Sequence, residues 1–390
     1  MNVLLVISAN IIIKMNFFDE YNWDKILNLY PENKWDLDRY YKILCPQYPV
    51  FLDKYIKLPL LQRLKGIGLL CGTDWTPLYK NRFFYSRLDH SIGVALIIWN
   101  FTHDKAQTIS GLLHDVSTPV FSHVSDFRKG DALTQTATES ANIKLIKNNK
   151  DLIGLLEEDS LSVEQVCDYH IYPIADNEIP CLSADRLEYM FPSGAALEGS
   201  WSLDEIEETY KDISVLMLQK GQVELGFNTL EIAEKYCKKF CMTGHVLQLN
   251  ENKLTLQLLG TIMNLAVENN ILTEDDFMQL SEKELLEKFE NKIVTMGTGL
   301  AFPSQNSLSY LNCLYKTFRS MDKIEHCQFS LSPSSHFSVS LSVKQRYINP
   351  LVKHNGKIYR LSEVSEKSAE LINDFLNYSD TEFGCVKLWK

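Results

Sequence analysis

The stretch GLLHDVSTPVFSHVSDF, residues 111–127, decides how the rest of the chain is interpreted. It places His114 and Asp115 side by side in an apolar run that has the pattern of a buried helix. A charged pair in such a segment is costly unless another group compensates it. Because side chains of adjacent helical residues point about 100° apart, the two can bind one ion only beyond a helix end. Gly111, one turn earlier, would let a neighbouring helix approach closely.

The composition is that of a soluble globular chain that does not bind nucleic acid nonspecifically. Its 390 residues suffice for one large domain or two of ordinary size, and 45% of them are hydrophobic. The net charge of −11 argues against nonspecific contact with phosphate backbones, so a small anionic ligand would need a local basic site. None of the nine cysteines forms a CxxC pair, which predicts reduced thiols in a cytoplasmic protein.

The N-terminus carries the apolar run NVLLVISANIII, residues 2–13, which is too short to span a bilayer. It lacks a basic segment before it and a clean cleavage site after it, so a first strand or a loose extension competes with a signal peptide. Met15 is as plausible a natural start as Met1. No other segment approaches transmembrane length, and we expect no membrane association.

Apolar residues recur at three- and four-residue spacing up to about residue 320, which predicts a mainly α fold. Helices are predicted over 58–70, 90–103, 105–116, 139–149, 162–170, 181–191, 203–220, 227–239, 252–268 and 307–319, with another beginning at Thr273. Beyond about residue 325 the alternation of Ser, Val and Phe predicts a hairpin or small sheet. A turn at Asn355-Gly356 and a last helix over 362–377 follow.

Histidines are concentrated in the first half of the chain, at positions 90, 103, 114 and 123. His90 opens an apolar helix, and Asp185 lies in the helix-like stretch CLSADRLEYMF. Imidazole and carboxylate together suit a divalent ion, which could be Mn, Fe, Co, Ni, Zn or Mg. Such an ion would neutralise the buried Asp115 and use both side chains of the His-Asp pair. A single histidine of this kind is more often a hydrogen-bonded core or surface residue than a metal ligand. The metal prediction is therefore supported by the whole set, in the order His, then His-Asp, then Asp.

Three other clusters have plainer interpretations. A second His-Asp dipeptide, residues 103–104, follows a helix end and is expected at the surface. Cys237, Cys241 and His245 share a helix face but lack a fourth ligand, which favours core packing over a zinc site. The segment CDYHIYP, residues 167–173, could approach the metal site and offer further ligands.

Four separated motifs resemble, in order, those of the HD-domain metal-dependent phosphohydrolases, most closely the deoxynucleoside triphosphate triphosphohydrolase branch. They are LPLLQRLKGIGLL (58–70), SRLDHSIGV (86–94), GLLHDVSTPVFSHVSDF (111–127) and ADRLEYM (184–190). The resemblance covers roughly residues 55–195 and is faint beyond them, although RYINPLV…GKIYRLSE has the character of that family's C-terminal region. It implies an HD-domain helical bundle with a small C-terminal α+β region.

On this basis we expect four segments along the chain. Residues 1–50 form an N-terminal extension and first helices, and residues 51–200 form an HD-type metal-binding catalytic core. Residues 201–325 form a helical extension packed on that core. Residues 326–390 form a small α+β region, which could serve assembly or cover the pocket.

The resemblance assigns roles to residues of this sequence. It implies that the metal ligands are His90, His114, Asp115 and Asp185. It implies that Arg87 contacts a substrate phosphate, for which a bidentate guanidinium is suited, although a salt bridge with Asp89 is the plainer interpretation. Tyr189 matches a tyrosine that lines the nucleotide pocket, and His123 matches a histidine beside the ligands or the phosphate. Arg63 is one of several basic residues that could line an anion entrance.

The sequence departs from the family's pattern at four positions. Thr118 stands where the family has a histidine, and Thr138, before Glu139, stands where a histidine helps to protonate the leaving group. Leu69 and Ser193 replace two residues that contact the sugar. The metal ligands are therefore kept, whereas the catalytic pair and the sugar contacts are changed, and a standard triphosphohydrolase mechanism is not expected.

The remaining candidates for a general acid are His123, Glu139 and Asp89. Glu139 has the plainer role of capping its helix, and Asp89 that of orienting a histidine ligand. The chain is thus expected to be a metal-dependent phosphohydrolase that acts on a nucleotide or another small phosphoester through a metal-activated water. The alternative is a non-catalytic protein that binds metal and nucleotide as a sensor or assembly module. In either case we expect homo-oligomers, as in relatives of this family.

Overall fold

The computed structural model describes residues 35–133, 139–218, 221–296 and 308–389. The apolar run at the N-terminus and the choice between Met1 and Met15 lie outside these described residues, as do Thr138 and the side chain of Glu139.

Helices dominate the described part of the chain, which confirms the mainly α prediction. They are α1 (Leu37–Leu44), α2 (Leu52–Ile56), α3 (Pro59–Gln62), α4 (Arg87–Thr102), α5 (Lys105–Leu113), α6 (Val124–Arg128), α7 (Glu139–Asn148), α8 (Lys150–Glu158), α9 (Ala184–Leu197), α10 (Leu203–Lys211), α11 (Leu230–Gln248), α12 (Asn250–Glu268), α13 (Asp276–Gln279), α14 (Glu282–Met296), α15 (Leu308–Ser320), α16 (Leu361–Val364) and α17 (Glu366–Asn377). Short 3-10 turns lie at Arg63–Gly66, Thr73–Trp75, Val163–Gln165 and Tyr169–Ile171. None of the described helices is both long and apolar enough to cross a bilayer.

Two small sheets accompany the helices. The four-stranded sheet has the order β1 (Ile213–Met217), β2 (Val223–Phe227), β5 (Leu351–His354) and β6 (Lys357–Arg360). Strands β1 and β2 are antiparallel, as are β5 and β6, whereas β2 and β5 are parallel, with Gly226 opposite Leu351. The three-stranded antiparallel sheet has the order β3 (Glu325–Cys327), β7 (Phe383–Lys387) and β4 (His336–Val339).

Helix α4 is the centre of the larger hydrophobic core. It begins with a capping box in which Ser86 Oγ accepts from the N–H of Asp89 while the Asp89 carboxylate accepts from the N–H of Ser86. All side chains from residue 92 to residue 98 are buried. A helix that is apolar on all sides belongs in a protein interior, and other helices surround α4 here.

Two glycines let α5 and α9 approach α4 closely. A Cβ added at Gly111 of α5 would lie 2.2 Å from Cδ1 of Ile98, and one added at Gly93 of α4 would lie 2.4 Å from Oε1 of Glu188 on α9. The close approach predicted at Gly111 is therefore confirmed. It brings the C-terminal end of α5, where His114 lies, against the first turns of α4.

The stretch 111–127 passes from one hydrophobic core to a second one. Leu112, Leu113 and Val116 pack in the core around α4, whereas Val120 and Phe121 pack in a core formed mainly by α12, α14 and α15. The polar residues of this stretch consequently lie where the two cores meet.

Several predicted helices are confirmed and others are wrong. The helices expected over 90–103, 105–116 and 252–268 appear as α4, α5 and α12. The helix expected over 58–70 ends at Gly66, because the backbone becomes extended at Ile67 and the chain then bridges to Ser86. The segment 162–170 forms only 3-10 turns.

The helix expected over 203–220 is wrong in its second half. Helix α10 ends at Lys211, and the next residues form β1, which pairs with β2 along five residue pairs from Ile213–Phe227 to Met217–Val223. This hairpin, whose second strand also pairs with β5, overrides the helical spacing of the sequence. Because β2 also pairs with β5, the sheet takes strands from both sides of the expected boundary at residue 325, and the division into four segments stays a prediction.

Substitution of Gly111 tests the close approach of α5 to α4. Gly111→Ala is expected to lower the free energy of unfolding by about 1–3 kcal/mol, because the added methyl overpacks a fully buried contact with Ile98. Gly154→Ala on α8 is the matched control, since a Cβ there meets nothing within 4 Å and should stabilise the helix by about 0.5–1 kcal/mol. Urea denaturation measures both, and a Gly111→Ala protein as stable as the wild type would contradict this packing.

Candidate functional site

Four side chains that the sequence separates by nearly a hundred residues converge at one point. They come from the first turns of α4 and α9 and from the end of α5, and they are His90, His114, Asp115 and Asp185. His90 Nε2 lies 3.2 Å from His114 Nε2, 3.1 Å from an Asp185 oxygen and 3.8 Å from an Asp115 oxygen. His114 Nε2 lies 3.6 Å from the same Asp115 oxygen and 3.7 Å from the same Asp185 oxygen.

The far nitrogens of both imidazoles are held by hydrogen bonds, which turn Nε2 toward the shared point. His114 Nδ1 donates to the carbonyl of Gly111, at 2.7 Å. His90 Nδ1 lies 2.5 Å from Glu188 Oε2, and the Glu188 side chain is fully buried. The other Glu188 oxygen accepts from the hydroxyl groups of Tyr85 and Tyr40. Such support fixes the tautomer and orientation of a metal-binding histidine.

Three of the four converging side chains, His90, His114 and Asp115, can place one ligand atom each within 4.8 Å of one another. Ligands at about 2.0–2.2 Å from one metal ion lie roughly 3.0–3.6 Å apart, and an Asp185 oxygen lies 3.1 and 3.7 Å from the Nε2 atoms of His90 and His114. Two imidazoles and two carboxylates suit Mn, Fe, Co, Ni or Zn. The arrangement of the residues therefore agrees with the metal predicted from the sequence.

Buried charges at this point compensate one another. Burial alone would raise the pKa of Asp115, but Arg87, His114 and His90 hold it well below its usual value. The guanidinium of Arg87 donates to an Asp115 oxygen at 2.7 Å. Burial alone would lower the pKa of His90, yet the carboxylates of Glu188 and Asp185 raise it to about 10. A cation between these side chains is thus favoured by the same oxygens that favour a proton on His90.

Arg87 is positioned by a chain of hydrogen bonds that leads into the second core. Its Nε donates to Ser122 Oγ at 3.0 Å, and this hydroxyl donates to the carbonyl of Gly68. The N–H of Gly68 donates to the buried Glu282 carboxylate, which also accepts from the Trp75 indole. Burial raises the pKa of Glu282 to about 7. The Arg87 guanidinium is therefore oriented by residues of both cores.

The cluster lies on the wall of a cavity of about 550 Å³. Of the predicted site residues, the cavity is lined by Arg87, His90, His114, Asp115, His123, Asp185 and Tyr189. Val343, Lys344 and Arg346 line it from the C-terminal region, so this region covers the pocket, one of the two roles expected for it. A volume of this size accommodates a small organic ligand.

Two predicted site residues do not line the cavity. Arg63 donates to the carbonyls of Val116 and Thr118 at 3.1 and 2.6 Å, and so holds the loop after the His-Asp pair. Asp89 caps α4 through Ser86, and Tyr41 donates to its carboxylate. The plainer interpretations of Asp89 are that it orients a histidine ligand or pairs with Arg87, but Arg87 instead donates to Asp115. Binding of substrate by Arg63 and proton transfer by Asp89 stay predictions, and neither is favoured by these contacts.

His123 lies on the cavity wall with both ring nitrogens in contact with charged groups. Nδ1 lies 3.0 Å from the buried Asp126 carboxylate, and Nε2 lies 3.5 Å from an Arg346 Nη2. Burial lowers the pKa of His123, and the positive charges of Arg346 and Arg87 lower it further against the effect of Asp126. A neutral His123 therefore faces the cavity near pH 7. To donate a proton it must first gain one, and an anion beside it would favour that.

The sequence reasoning missed several residues of this site. Glu188 lies one turn after Asp185 on α9, and an acidic residue at that spacing in an apolar helix was the available signal. Tyr169, whose ring lies 5.0 Å from the ring of His114, belongs to the segment that was expected to approach the site. Arg346 opens the stretch RYINPLV, whose likeness to the family's C-terminal region was the available signal, although it reaches His123 from more than 200 residues away.

The other clusters have the structural roles expected for them. His103 is the exposed C-terminal cap of α4, and Asp104 caps the N-terminus of α5. Cys237 and Cys241 are buried in the larger core. A further group of possible ligands consists of Glu251, His326 and Asp380. Each His326 nitrogen lies 3.0 Å from one of the two carboxylates, and this ion triad ties α12 to the three-stranded sheet.

Comparisons with known proteins agree with this picture over part of the chain. No family model matches it. The chain is 30% identical over 142 residues to the uncharacterized protein YdhJ of Bacillus subtilis. These residues make up 35% of this chain and 41% of YdhJ. It is also 26% identical over 129 residues to the metal-dependent phosphohydrolase cns2 of Cordyceps militaris. These residues make up 33% of this chain and 36% of cns2. The matched part spans about two fifths of the length of these curated relatives.

Two solved structures share the fold over most of the chain. A phosphohydrolase from Bacteroides thetaiotaomicron superposes with a TM-score of 0.54 at 16% identity, covering 87% of this chain and 96% of that one. A hypothetical protein from Aquifex aeolicus superposes with a TM-score of 0.52 at 13% identity, covering 87% of this chain and 92% of that one. At these identities the likeness concerns the fold alone.

Substitution of Glu188 tests how the ligands are supported. Glu188→Gln is expected to weaken Mn²⁺ binding about ten- to hundredfold, because it removes the charge that fixes and polarises His90. Calorimetric titration with Mn²⁺ measures this change. Glu198→Gln, at the buried end of the same helix and bonded to Thr243, is the matched control and should leave the affinity unchanged. Equal affinities for all three proteins would show that Glu188 does not support a metal ligand.

Proposed function

We propose that this chain is an HD-domain metal-dependent phosphohydrolase that acts on a nucleotide or a related small phosphoester. The observation that carries the proposal is the convergence of His90, His114, Asp115 and Asp185 beside Arg87 on the wall of one cavity. Ligands for a cation and a guanidinium in one pocket are the combination that a phosphoryl group requires.

Each residue has a definite task in this proposal. His90, His114, Asp115 and Asp185 would hold one divalent ion, which polarises a phosphoryl oxygen and lowers the pKa of a bound water. Arg87, whose Nη1 already faces the cluster, would bind a phosphate oxygen and stabilise the charge that develops on it. Tyr189 lies on the same helix as Asp185 and would contact the organic part of the substrate.

The leaving group needs a proton, which His123 would provide in this proposal. Its ring is held by Asp126 on one side and faces the cavity on the other. Arrival of a phosphate beside Nε2 would draw the Arg346 guanidinium toward the anion and favour protonation of His123. Glu139 begins α7, and its part in proton transfer stays a prediction.

The comparisons support the general part of this proposal, a metal-dependent phosphohydrolase. One curated relative is named a metal-dependent phosphohydrolase, and a solved structure with the same fold is named a phosphohydrolase. The nucleotide as substrate rests on the resemblance of the four sequence motifs. Assembly into homo-oligomers is part of the proposal on the same ground.

A pooled set of substrates tests the proposal. The purified protein is incubated with Mn²⁺ and ribo- and deoxynucleotides carrying one to three phosphates, together with p-nitrophenyl phosphate, and mass spectrometry identifies the products. We expect at least one phosphoester to be hydrolysed, with the rate reduced at least a hundredfold in Asp115→Asn, because that variant loses a metal-binding charge.

The control for this experiment is Asp151→Asn, which removes an exposed carboxylate on α8. It should hydrolyse the same substrate at the wild-type rate. Bound Mn²⁺ without turnover of any compound would instead support the non-catalytic alternative, in which nucleotide binding drives sensing or assembly.

A further inference from the structure

Both carboxylate oxygens of Asp115 accept hydrogen bonds from other side chains. Oδ2 accepts from Nη1 of Arg87 at 2.7 Å, and Oδ1 accepts from the hydroxyl of Thr118 at 3.0 Å. The proposed function gives Arg87 a task, whereas Thr118 has no task in it. Thr118 lines the cavity and is only 6% exposed, so water competes little for this hydrogen bond. A buried hydroxyl that donates to a metal-binding carboxylate is placed to orient that ligand.

The two oxygens of Asp115 face different groups. Oδ2 lies 3.6 Å from His114 Nε2 and 3.8 Å from His90 Nε2, so it is the oxygen that faces the point shared by the proposed ligands. Oδ1 faces Thr118. Because the terminal torsion of an aspartate is broad, a carboxylate without such a partner can turn over a wide range. The hydrogen bond from Thr118 narrows this range and keeps Oδ2 turned toward the two imidazoles.

Thr118 is itself held by its backbone. Its N–H donates to the carbonyl of Asp115 at 2.9 Å, which closes a turn. Arg63 Nη2 donates to the carbonyl of Thr118 at 2.6 Å and to that of Val116 at 3.1 Å. Arg63 lies in a 3-10 turn that precedes all four proposed ligands. The position of the Thr118 hydroxyl is therefore fixed by a separate part of the chain.

A second polar side chain holds the other side of the same turn. Asn142 of α7 accepts from the N–H of Ser117 through Oδ1, and its Nδ2 donates to the carbonyl of Leu113, both at 3.2 Å. These two contacts bracket the His-Asp pair, and Asn142 is buried. The turn is thus ordered by contacts within the protein, so the Thr118 hydroxyl is in place before an ion binds.

A threonine hydroxyl often has a plainer role, which is a local hydrogen bond to the backbone. Thr108 on α5 is an example in this chain, since its hydroxyl donates at 2.7 Å to the carbonyl of Asp104, four residues earlier. Both threonines are buried. The acceptor of Thr118 is instead the side chain of a proposed metal ligand. The two residues therefore give different expectations for metal binding.

We propose that Thr118 is a positioning residue of the metal centre, whose hydroxyl orients Asp115 so that Oδ2 is presented to the ion. This inference rests on the ligand set of the proposed function. It assigns Thr118 no proton transfer, and it gives the threonine at this departure from the family's pattern a structural task. Loss of the hydroxyl leaves Oδ1 without a donor in a buried place, which weakens the binding of the ion.

Calorimetric titration of the full chain with Mn²⁺ tests this inference. Thr118→Val removes the hydroxyl and keeps the branched shape of the side chain, and we expect the Kd for Mn²⁺ to rise about ten- to hundredfold. Thr118→Ser keeps the donor and should bind Mn²⁺ within about threefold of the wild type. Equal affinities of the wild-type and Thr118→Val proteins would overturn the inference, as would a serine variant that binds as weakly as the valine variant.

Thr108→Val is the matched control. It removes a buried hydroxyl from the helix that leads to His114 and leaves every proposed ligand without a lost contact. This variant should bind Mn²⁺ with the wild-type affinity. An equal loss of affinity in Thr108→Val and Thr118→Val would show that general loosening of the fold weakens binding, and it would overturn the inference.

Urea denaturation with and without Mn²⁺ separates metal binding from the stability of the metal-free protein. At Mn²⁺ concentrations far above Kd, each tenfold loss of affinity lowers the stabilisation by the ion by about 1.4 kcal/mol. The ion should stabilise Thr118→Val less than the wild type by this amount or up to twice as much, and should stabilise Thr108→Val as much as the wild type. If Thr118→Val does not fold, Thr118→Ala takes its place in both measurements with the same expectation.

Failure of this inference and failure of the proposed function give different results. Wild-type protein that binds no Mn²⁺ in either measurement would overturn both. Binding of Mn²⁺ that is weakened by Asp115→Asn but unchanged by Thr118→Val would keep the metal centre and overturn the role of Thr118.

Discussion

The buried contact between His90 and Glu188 is the constraint on which the rest of the site depends. Glu188 is fully buried, so its charge must be matched inside the protein. Two tyrosine hydroxyls satisfy one of its oxygens, and His90 takes the other. Gly93 leaves the room that this side chain needs between α4 and α9. With His90 fixed in this way, Asp185 on α9 and the His-Asp pair at the end of α5 meet at its other nitrogen.

Much of this arrangement could be predicted from the sequence because it follows from local patterns. The apolar spacing predicts α4, α5 and α12, and the glycine at position 111 predicts the close helix pair. The ordered histidines and aspartates predict the ligand set, since a buried His-Asp pair at a helix end needs compensation. The structure brings all four side chains together.

The remainder could not be predicted because it depends on contacts between distant parts of the chain. Strand β1 carries a helical spacing but pairs with β2, and β2 in turn pairs with the distant β5, where Gly226 lies opposite Leu351. Arg346 and Lys344 enter the cavity from the C-terminal region, which no local pattern connects with the metal ligands. Glu282 reaches Gly68 from the second core and thereby orients Arg87 through Ser122.

The most direct test of this account is anomalous diffraction from crystals soaked with Mn²⁺. We expect one strong peak within coordination distance of His90 Nε2, His114 Nε2 and the carboxylates of Asp115 and Asp185. No peak at that point, or a peak confined to the Glu251, His326 and Asp380 group, would contradict the claim that these four residues form the metal centre.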